Sequence, residues 1–176
     1  MSQKRWIIFT DSGDTIVDEG SEYRSPGSDI VEHAQLIPGA REALLWLKEQ
    51  GYQIQMVADG YVESFDNVYR QHGLEDVFCE RTISEVVGAC KPSAAMFETA
   101  MKKMGLTDAD KSRIVMIGNN LERDVVGANR FGITSVLMSW SPRYNMVPKN
   151  EEERPDYVIE SPSELPALME KLERME

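Results

Sequence analysis

The stretch that decides the fold is residues 5–15, which read Arg5-Trp6-Ile7-Ile8-Phe9-Thr10-Asp11-Ser12-Gly13-Asp14-Thr15. A short apolar run that ends abruptly at an aspartate is typical of a buried strand in a parallel sheet. Asp11 would then lie at the carboxyl end of that strand, which is the edge where open α/β sheets bind their ligands. We therefore expect a functional group at Asp11, with partners at the ends of other strands.

Strands and helices alternate along the rest of the chain. Apolar runs predict further strands at 52–57, 78–83, 113–117 and 133–138, with a small sixth at 157–159. Helical spacing of apolar residues predicts helices at 40–48, 62–72, 93–104 and 121–131, and a capping box at 161–164 begins a last helix. The alternation predicts a three-layer α/β/α domain, in which helices cover both faces of a parallel sheet of about five strands.

Size, charge and cysteine usage narrow the class of protein. The 176 residues are typical of one domain, 1–176, and the formal net charge of −11 argues against nucleic acid or an anionic membrane as a partner. Cys79 and Cys90 show no metal-binding spacing, and they fit a reducing compartment better than a disulfide framework. The apolar run before Asp11 has only four residues, 6–9, too few for a signal peptide or a membrane span, so we expect a cytoplasmic protein.

Two segments interrupt the alternation. Residues 18–37 carry a turn signal at Pro26-Gly27, and they predict a small two-stranded flap rather than a large cap domain. Residues 140–156 follow the fifth strand, so we expect this loop to lie over the edge that holds Asp11. Within it, Arg143 is suited to grip a phosphate or carboxylate of a substrate, and Arg24 in the flap is a second candidate.

Polar clusters follow the other strands as well. Ala58-Asp59-Gly60 follows the second strand, Gly118-Asn119 through Asp124 follows the fourth, and Lys91-Pro92 precedes a helix. Any one cluster is also typical of an ordinary turn. Four clusters that meet at one sheet edge predict a site.

The order of these clusters resembles the motifs of the haloacid dehalogenase superfamily, over residues 6 to about 160. Asp11, Gly13 and Thr15 fall on the key positions of the first motif, and Ala58-Asp59-Gly60 falls on the second. Lys91-Pro92 matches the third motif, and Gly118-Asn119 through Asp124, followed by Gly127-Ala128, matches the fourth. The resemblance implies a Rossmann-like sheet whose central strand is the first and carries the nucleophile.

The resemblance also implies roles. Asp11 would attack the phosphorus of a phosphorylated substrate, form an aspartyl phosphate and bind Mg²⁺, and Lys91 would neutralise the approaching charges. The Gly13 carbonyl, Asn119 and Asp124 would complete the Mg²⁺ site with oxygen ligands. Thr15 would assist catalysis, and the segment Ala58-Asp59-Gly60 would bind the substrate. The implied function is metal-assisted hydrolysis of a phosphate ester whose identity the sequence does not reveal.

Three motif positions depart from the family pattern. Gly13 stands where the family's phosphatases have an aspartate that acts as general acid and base, Ala58 replaces a hydroxyl, and Asn119 replaces an acid. Asp14, one residue later, could take over the proton transfer, or it could cap the following turn. If the acid is missing, Gly13→Asp should raise activity, because proton transfer is typically worth about 10²–10⁴-fold.

Other functions stay open. The altered positions also fit a binding module that keeps the scaffold without turnover, or a metal-independent hydrolase of the dehalogenase kind. A phospho-receiver domain is excluded, because its phosphoacceptor follows the third strand whereas Asp11 follows the first. Without a large cap the site is open, so a large substrate or a second subunit would cover it, and we include a homo-oligomer among the expected partners.

Overall fold

The computed structural model describes residues 5–175 and contains one parallel sheet of six strands. The strands are β1 (Ile7–Thr10), β2 (Gln53–Ala58), β3 (Glu80–Ile83), β4 (Ile114–Gly118), β5 (Thr134–Met138) and β6 (Tyr157–Ile159). Their order across the sheet is β3-β2-β1-β4-β5-β6. The α/β class is confirmed. The sheet has six strands rather than about five, because the small last strand pairs with β5 at Leu137 and Val158.

Helices connect the strands. They are α1 (Ala40–Glu49), α2 (Val62–Gln71), α3 (Ser84–Val87), α4 (Ala94–Lys103), α5 (Val126–Phe131) and α6 (Leu165–Arg174). The predicted capping box is present before α6, where Ser161 and Glu164 cap a short 3₁₀ turn. The helix predicted over 121–131 is different: a π-helical turn at Leu121–Val125 precedes α5.

The side chains of β1 alternate between the two faces of the sheet. Trp6 and Ile8 belong to an apolar cluster that also holds residues of α1, α2 and α6. Ile7 and Phe9 belong to a second cluster, with residues of α4 and α5. Because both faces of β1 are buried, the strand is held in the middle of three layers, and the partly exposed Asp11 follows its carboxyl end.

The chain between β1 and α1 doubles back on itself. Two antiparallel bridges, Val17 with Leu36 and Tyr23 with His33, join its two arms, and the bend lies at residues 25–28. The segment is docked on α2, since the Ser64 hydroxyl accepts a hydrogen bond from the Val31 amide at 2.9 Å. We call residues 18–37 the flap.

The loop after β5 has two parts. Its first part reaches back towards the flap through Arg143. Its second part packs on α5, where the Asn129 side-chain amide donates to the Glu152 carbonyl at 2.8 Å. No helix within residues 5–175 is long and apolar enough to cross a membrane.

Candidate active site

Asp11 lies directly after β1, between the carboxyl ends of β2 and β4. Thr10 is in register with Met56 on one side and Ile117 on the other. The Asp11 amide donates to the Ile117 carbonyl at 2.8 Å, so the ladder continues through the backbone of Asp11. The side chain is 15% exposed, and it therefore stands at the sheet edge with access to solvent.

Lys91 joins Asp11 to Asp124. The Lys91 Nζ lies 3.0 Å from Asp11 Oδ1 and 2.7 Å from Asp124 Oδ1, and it donates to the Val57 carbonyl at 2.8 Å. Burial alone would lower the pKa of Lys91, but Asp11 and Asp124 outweigh it and raise the pKa above its ordinary value. Lys91 is therefore a buried ammonium that holds two carboxylates together.

Asp124 reaches this cluster because the chain after β4 forms a π-helical turn at Leu121–Val125. The Asp124 Oδ2 accepts from the Asn120 amide at 3.0 Å, and Asn120 Oδ1 caps the turn by accepting from the Arg123 amide at 3.0 Å. A Cβ at Gly118 would lie 2.5 Å from the Asp124 Cβ, so only glycine fits there. Such π-helical turns occur often at functional sites. Burial, opposed by Lys91, raises the pKa of Asp124 to about 6.

Three polar groups converge beside Asp11 and could hold a cation. The side-chain amide of Asn119 lies 3.2 Å from Asp11 Oδ2 and 3.3 Å from the Gly13 carbonyl oxygen. With its nitrogen turned inward, the amide donates to both oxygens. With its oxygen turned inward, that oxygen lies 3.2 Å from Asp11 Oδ2 and 3.3 Å from the Gly13 carbonyl oxygen, close to the spacing of about 3 Å between neighbouring ligands around octahedral Mg²⁺. Within residues 5–175 no cluster of three His, Cys, Asp or Glu side chains offers an alternative metal site.

Asp14 and Arg143 form an ion pair with each other. Asp14 is fully buried, with a φ of 48°, and its Oδ2 accepts from Arg143 Nε at 2.6 Å while its Oδ1 accepts from the Glu19 amide at 3.0 Å. Both carboxylate oxygens of Asp14 are therefore in use, which favours the capping alternative over proton transfer. Arg143 likewise lies on protein carboxylates rather than among the residues that line the neighbouring cavity. A grip of Arg143 on a substrate stays a prediction from the sequence.

Glu19 is the residue that sequence reasoning missed. Its side chain, from the flap, lies where a side chain at Gly13 would be: a Cβ there would be 2.7 Å from Glu19 Cδ. Burial, together with the nearby carboxylates of Asp14, Glu22 and Asp11, raises the pKa of Glu19 to about 7. No motif offset marks position 19, so only the fold reveals it.

The residues after β2 mostly serve the protein itself. Ala58 is buried and offers no hydroxyl, while Asp59 Oδ1 accepts from the Lys91 amide at 3.0 Å. The Gly60 amide donates to the Ser84 hydroxyl at 2.9 Å. Asp59 therefore fixes the backbone that carries Lys91, through the hydrogen bond from the Lys91 amide.

Thr15, which follows β1, is buried, and within residues 5–175 its hydroxyl has no hydrogen-bond partner.

A cavity of about 250 Å³ opens between the flap and α2. Its wall includes Ser12 and Gly13, which follow Asp11 in the chain, together with Glu19 and Arg24 from the flap. Arg24 is paired with Glu22 at 2.6 Å and donates to the Asp29 carbonyl at 3.2 Å. The cavity can admit a small polar molecule next to Ser12 and Gly13, the two residues that follow Asp11.

Comparison with known proteins identifies the family. A family model described as haloacid dehalogenase-like hydrolase matches residues 6–132. The chain therefore belongs to the haloacid dehalogenase-like hydrolases, and the resemblance of its motifs is confirmed.

Several of the curated relatives are phosphatases. The chain is 33% identical to glyceraldehyde 3-phosphate phosphatase of Pyrococcus furiosus, over 78% of this chain and 55% of that protein. It is 30% identical to ribulose-1,5-bisphosphate 5-phosphatase of Halopiger xanaduensis, over 81% of this chain and 60% of that protein. An uncharacterized protein from Listeria monocytogenes serotype 4b shares the fold, with a TM-score of 0.77 at 20% identity, over 96% of this chain and 99% of that one. The chain thus spans about half the length of the curated relatives it matches.

Proposed function

We propose that this protein hydrolyses phosphate monoesters of small phosphorylated compounds, with Asp11 as the nucleophile. The observation that carries the proposal is the contact of Lys91 Nζ with Asp11 at 3.0 Å and Asp124 at 2.7 Å. A carboxylate can attack a phosphate dianion only where nearby positive charge offsets the repulsion. Because the protein has a formal net charge of −11, the buried ammonium group of Lys91 supplies the positive charge that the site needs.

The reaction would proceed through the phosphorylated enzyme. Asp11 attacks phosphorus, the bond from phosphorus to the ester oxygen breaks, and an acyl phosphate forms on Asp11. Water then attacks the same phosphorus and returns Asp11 as a carboxylate. Lys91 orients Asp11 and balances its charge throughout.

Mg²⁺ would be held by Asp11, the Gly13 carbonyl and Asn119. Asp124 would be linked to this site through Lys91. When bound, Mg²⁺ supplies further positive charge to the phosphate oxygens. The support for this site is that the Asn119 amide lies 3.2 Å from Asp11 Oδ2 and 3.3 Å from the Gly13 carbonyl oxygen. Asp124 is held by Lys91 and the Asn120 amide, so we assign it to the outer shell.

The names of the relatives support small phosphorylated sugars or related carbonyl compounds as substrates. The cavity of about 250 Å³ beside Asp11 suits a compound of that size. A cytoplasmic location and self-association stay predictions from the sequence, supported by two exposed free cysteines and by the open site.

Phosphate release from a panel of sugar phosphates and one aryl phosphate, with Mg²⁺ or with EDTA, tests the proposal. We expect release that requires Mg²⁺ and that Asp11→Asn abolishes. Binding of a phosphorylated compound without any release would instead favour the non-catalytic scaffold, to which the hydroxyl-free Ala58 also points. Release that EDTA leaves unchanged would contradict the metal assignment.

A further inference from the structure

We propose that Glu19, carried by the flap, is the catalytic acid and base that donates a proton to the leaving oxygen and later takes one from water. The inference rests on the proposed phosphatase function and deepens it. It assigns the step for which Gly13 has no side chain, and it relieves Asp14 of that role.

Shape is the first support. A side chain at Gly13 would place its Cβ 2.7 Å from Glu19 Cδ and 2.8 Å from Glu19 Cγ, which is closer than real side chains approach. The absence of a side chain at 13 therefore makes the room that Glu19 fills. The Glu19 carboxyl group thus occupies the space where a side chain at position 13, two residues after the nucleophile, would begin.

Anchoring is the second support. The Glu19 amide donates to Asp14 Oδ1 at 3.0 Å, and the 3₁₀ turn that begins at Glu19 is capped by the Asp18 side chain. Arg143 Nε lies 3.4 Å from Glu19 Oε2 and 2.6 Å from Asp14 Oδ2. The fully buried Asp14 and its partner Arg143 thus act as positioning residues, and the other oxygen, Glu19 Oε1, faces Gly13.

Access is the third support. Glu19 lines the cavity together with Ser12 and Gly13, the residues that follow Asp11, and the Glu19 side chain is 29% exposed. A substrate in the cavity can therefore meet the carboxyl group without any movement of the core. Asp14, in contrast, is fully buried and has both oxygens bonded.

The two half-reactions balance with Glu19 in this role. As Asp11 attacks phosphorus, the bond to the leaving oxygen breaks, its electron pair stays on that oxygen, and the Glu19 carboxyl gives it a proton, so that an alcohol leaves. Water then attacks the acyl phosphate and gives a proton to the Glu19 carboxylate. The bond between phosphorus and Asp11 breaks, Asp11 keeps the electron pair, and inorganic phosphate leaves with Glu19 protonated again.

Leaving-group dependence tests the assignment. Full-length wild type, Glu19→Gln and the matched control Glu32→Gln are assayed with Mg²⁺ on glycerol phosphate and on 4-nitrophenyl phosphate. Glu32 is an exposed flap carboxylate that contacts Ser25 and does not line the cavity. We expect Glu19→Gln to lower kcat on glycerol phosphate by about 10²–10⁴-fold, because an alkoxide is a poor leaving group. On the aryl phosphate it should release nitrophenol in a rapid burst of about one equivalent and then turn over slowly, because the second step lacks its base.

A compensating pair of substitutions guards against a mere loss of structure. Gly13→Asp alone should collide with Glu19, whereas Gly13→Asp combined with Glu19→Ala should recover at least tenfold of the kcat that Glu19→Ala loses on glycerol phosphate. For the positioning role, Arg143→Gln should lower kcat on glycerol phosphate more than on the aryl ester, a contrast that simple loss of stability does not produce.

The failures are distinguishable. If wild type and Asp11→Asn release equally little phosphate, the proposed function falls and this assignment falls with it. If wild type turns over and Asp11→Asn does not, yet Glu19→Gln lowers kcat equally on both esters without a burst, the phosphatase stands and the role of Glu19 is overturned. That role is also overturned if the compensating pair recovers nothing while it stays folded by circular dichroism.

Discussion

Replacing Lys91 by methionine should strongly destabilise the protein, because it removes the positive charge that lies between two carboxylates. Methionine keeps most of the apolar stem, so the change isolates the ammonium group. Lys91 is 1% exposed and Asp124 is 2% exposed, so water cannot take the place of the lost cation. Breaking a buried ion pair from one side costs about 3–5 kcal/mol, and the Val57 carbonyl also loses its donor.

That cost should shift the melting temperature by roughly 6–20 °C, since a chain of this size loses about 2–4 °C for each kcal/mol. The assay is urea and thermal unfolding in EDTA at pH 7.5, so that no cation replaces the ammonium group. Lys102→Met, the same change at an exposed position of α4, is the control and should stay within about 0.5 kcal/mol of wild type.

Two companion measurements tie the loss to charge. The cost of Lys91→Met should shrink as the pH falls from 7.5 towards about 6, because Lys91 lowers the pKa of Asp124 and the variant therefore protonates this carboxylate at a higher pH than wild type does. Adding Asp124→Asn to Lys91→Met should recover part of the stability, because only one carboxylate then remains. A Lys91→Met protein within about 1 kcal/mol of wild type at pH 7.5 would refute the reasoning.

Three further perturbations follow from the same geometry. Arg143→Ala should lower the free energy of unfolding in urea by about 1–3 kcal/mol, because it removes the ion-pair partner of the buried Asp14. Unchanged stability with a raised KM would show instead that Arg143 binds the substrate. Glu19 has its pKa raised from 4.5 to about 7, so wild type loses stability as the pH rises through that interval. In EDTA, the free energy of unfolding of Glu19→Gln relative to that of wild type should therefore rise by about 1 kcal/mol from pH 5 to pH 8, after allowance for partial exposure. A difference that stays constant over this pH range would contradict the assignment. Gly118→Ala should cost about 1–3 kcal/mol and remove activity, because its Cβ would lie 2.5 Å from the Asp124 Cβ; wild-type activity in that variant would show that Asp124 can move freely.

The meeting of Asp11, Lys91 and Asp124 could be predicted from the sequence. Each follows or precedes a regular element, and the carboxyl ends of parallel strands meet at one edge. The alternation of strands and helices carries that information over long distances in the chain. The burial of β1 on both faces follows from its apolar residues alone.

The partners of Asp14 and the place of Glu19 could not be predicted in the same way. Both depend on how the irregular flap packs over Gly13. The apolar periodicity of a strand or a helix, every two or 3.6 residues, carries no information on that packing. Asp14 and Arg143 carry suitable chemistry for a substrate, but their ion pair spans 129 positions in the chain. The π-helical turn before α5 escapes prediction for a related reason, since it depends on Asp124 folding back to the Asn120 amide.

Mass spectrometry of the enzyme quenched in acid during turnover tests the central claim most directly. Glu19→Gln with Mg²⁺ and 4-nitrophenyl phosphate should accumulate one phosphoryl group on the peptide that contains Asp11, and Asp11→Asn should carry none. Phosphate release by the wild type, with no phosphoryl group on Asp11 in any variant that still turns over, would contradict nucleophilic catalysis by Asp11.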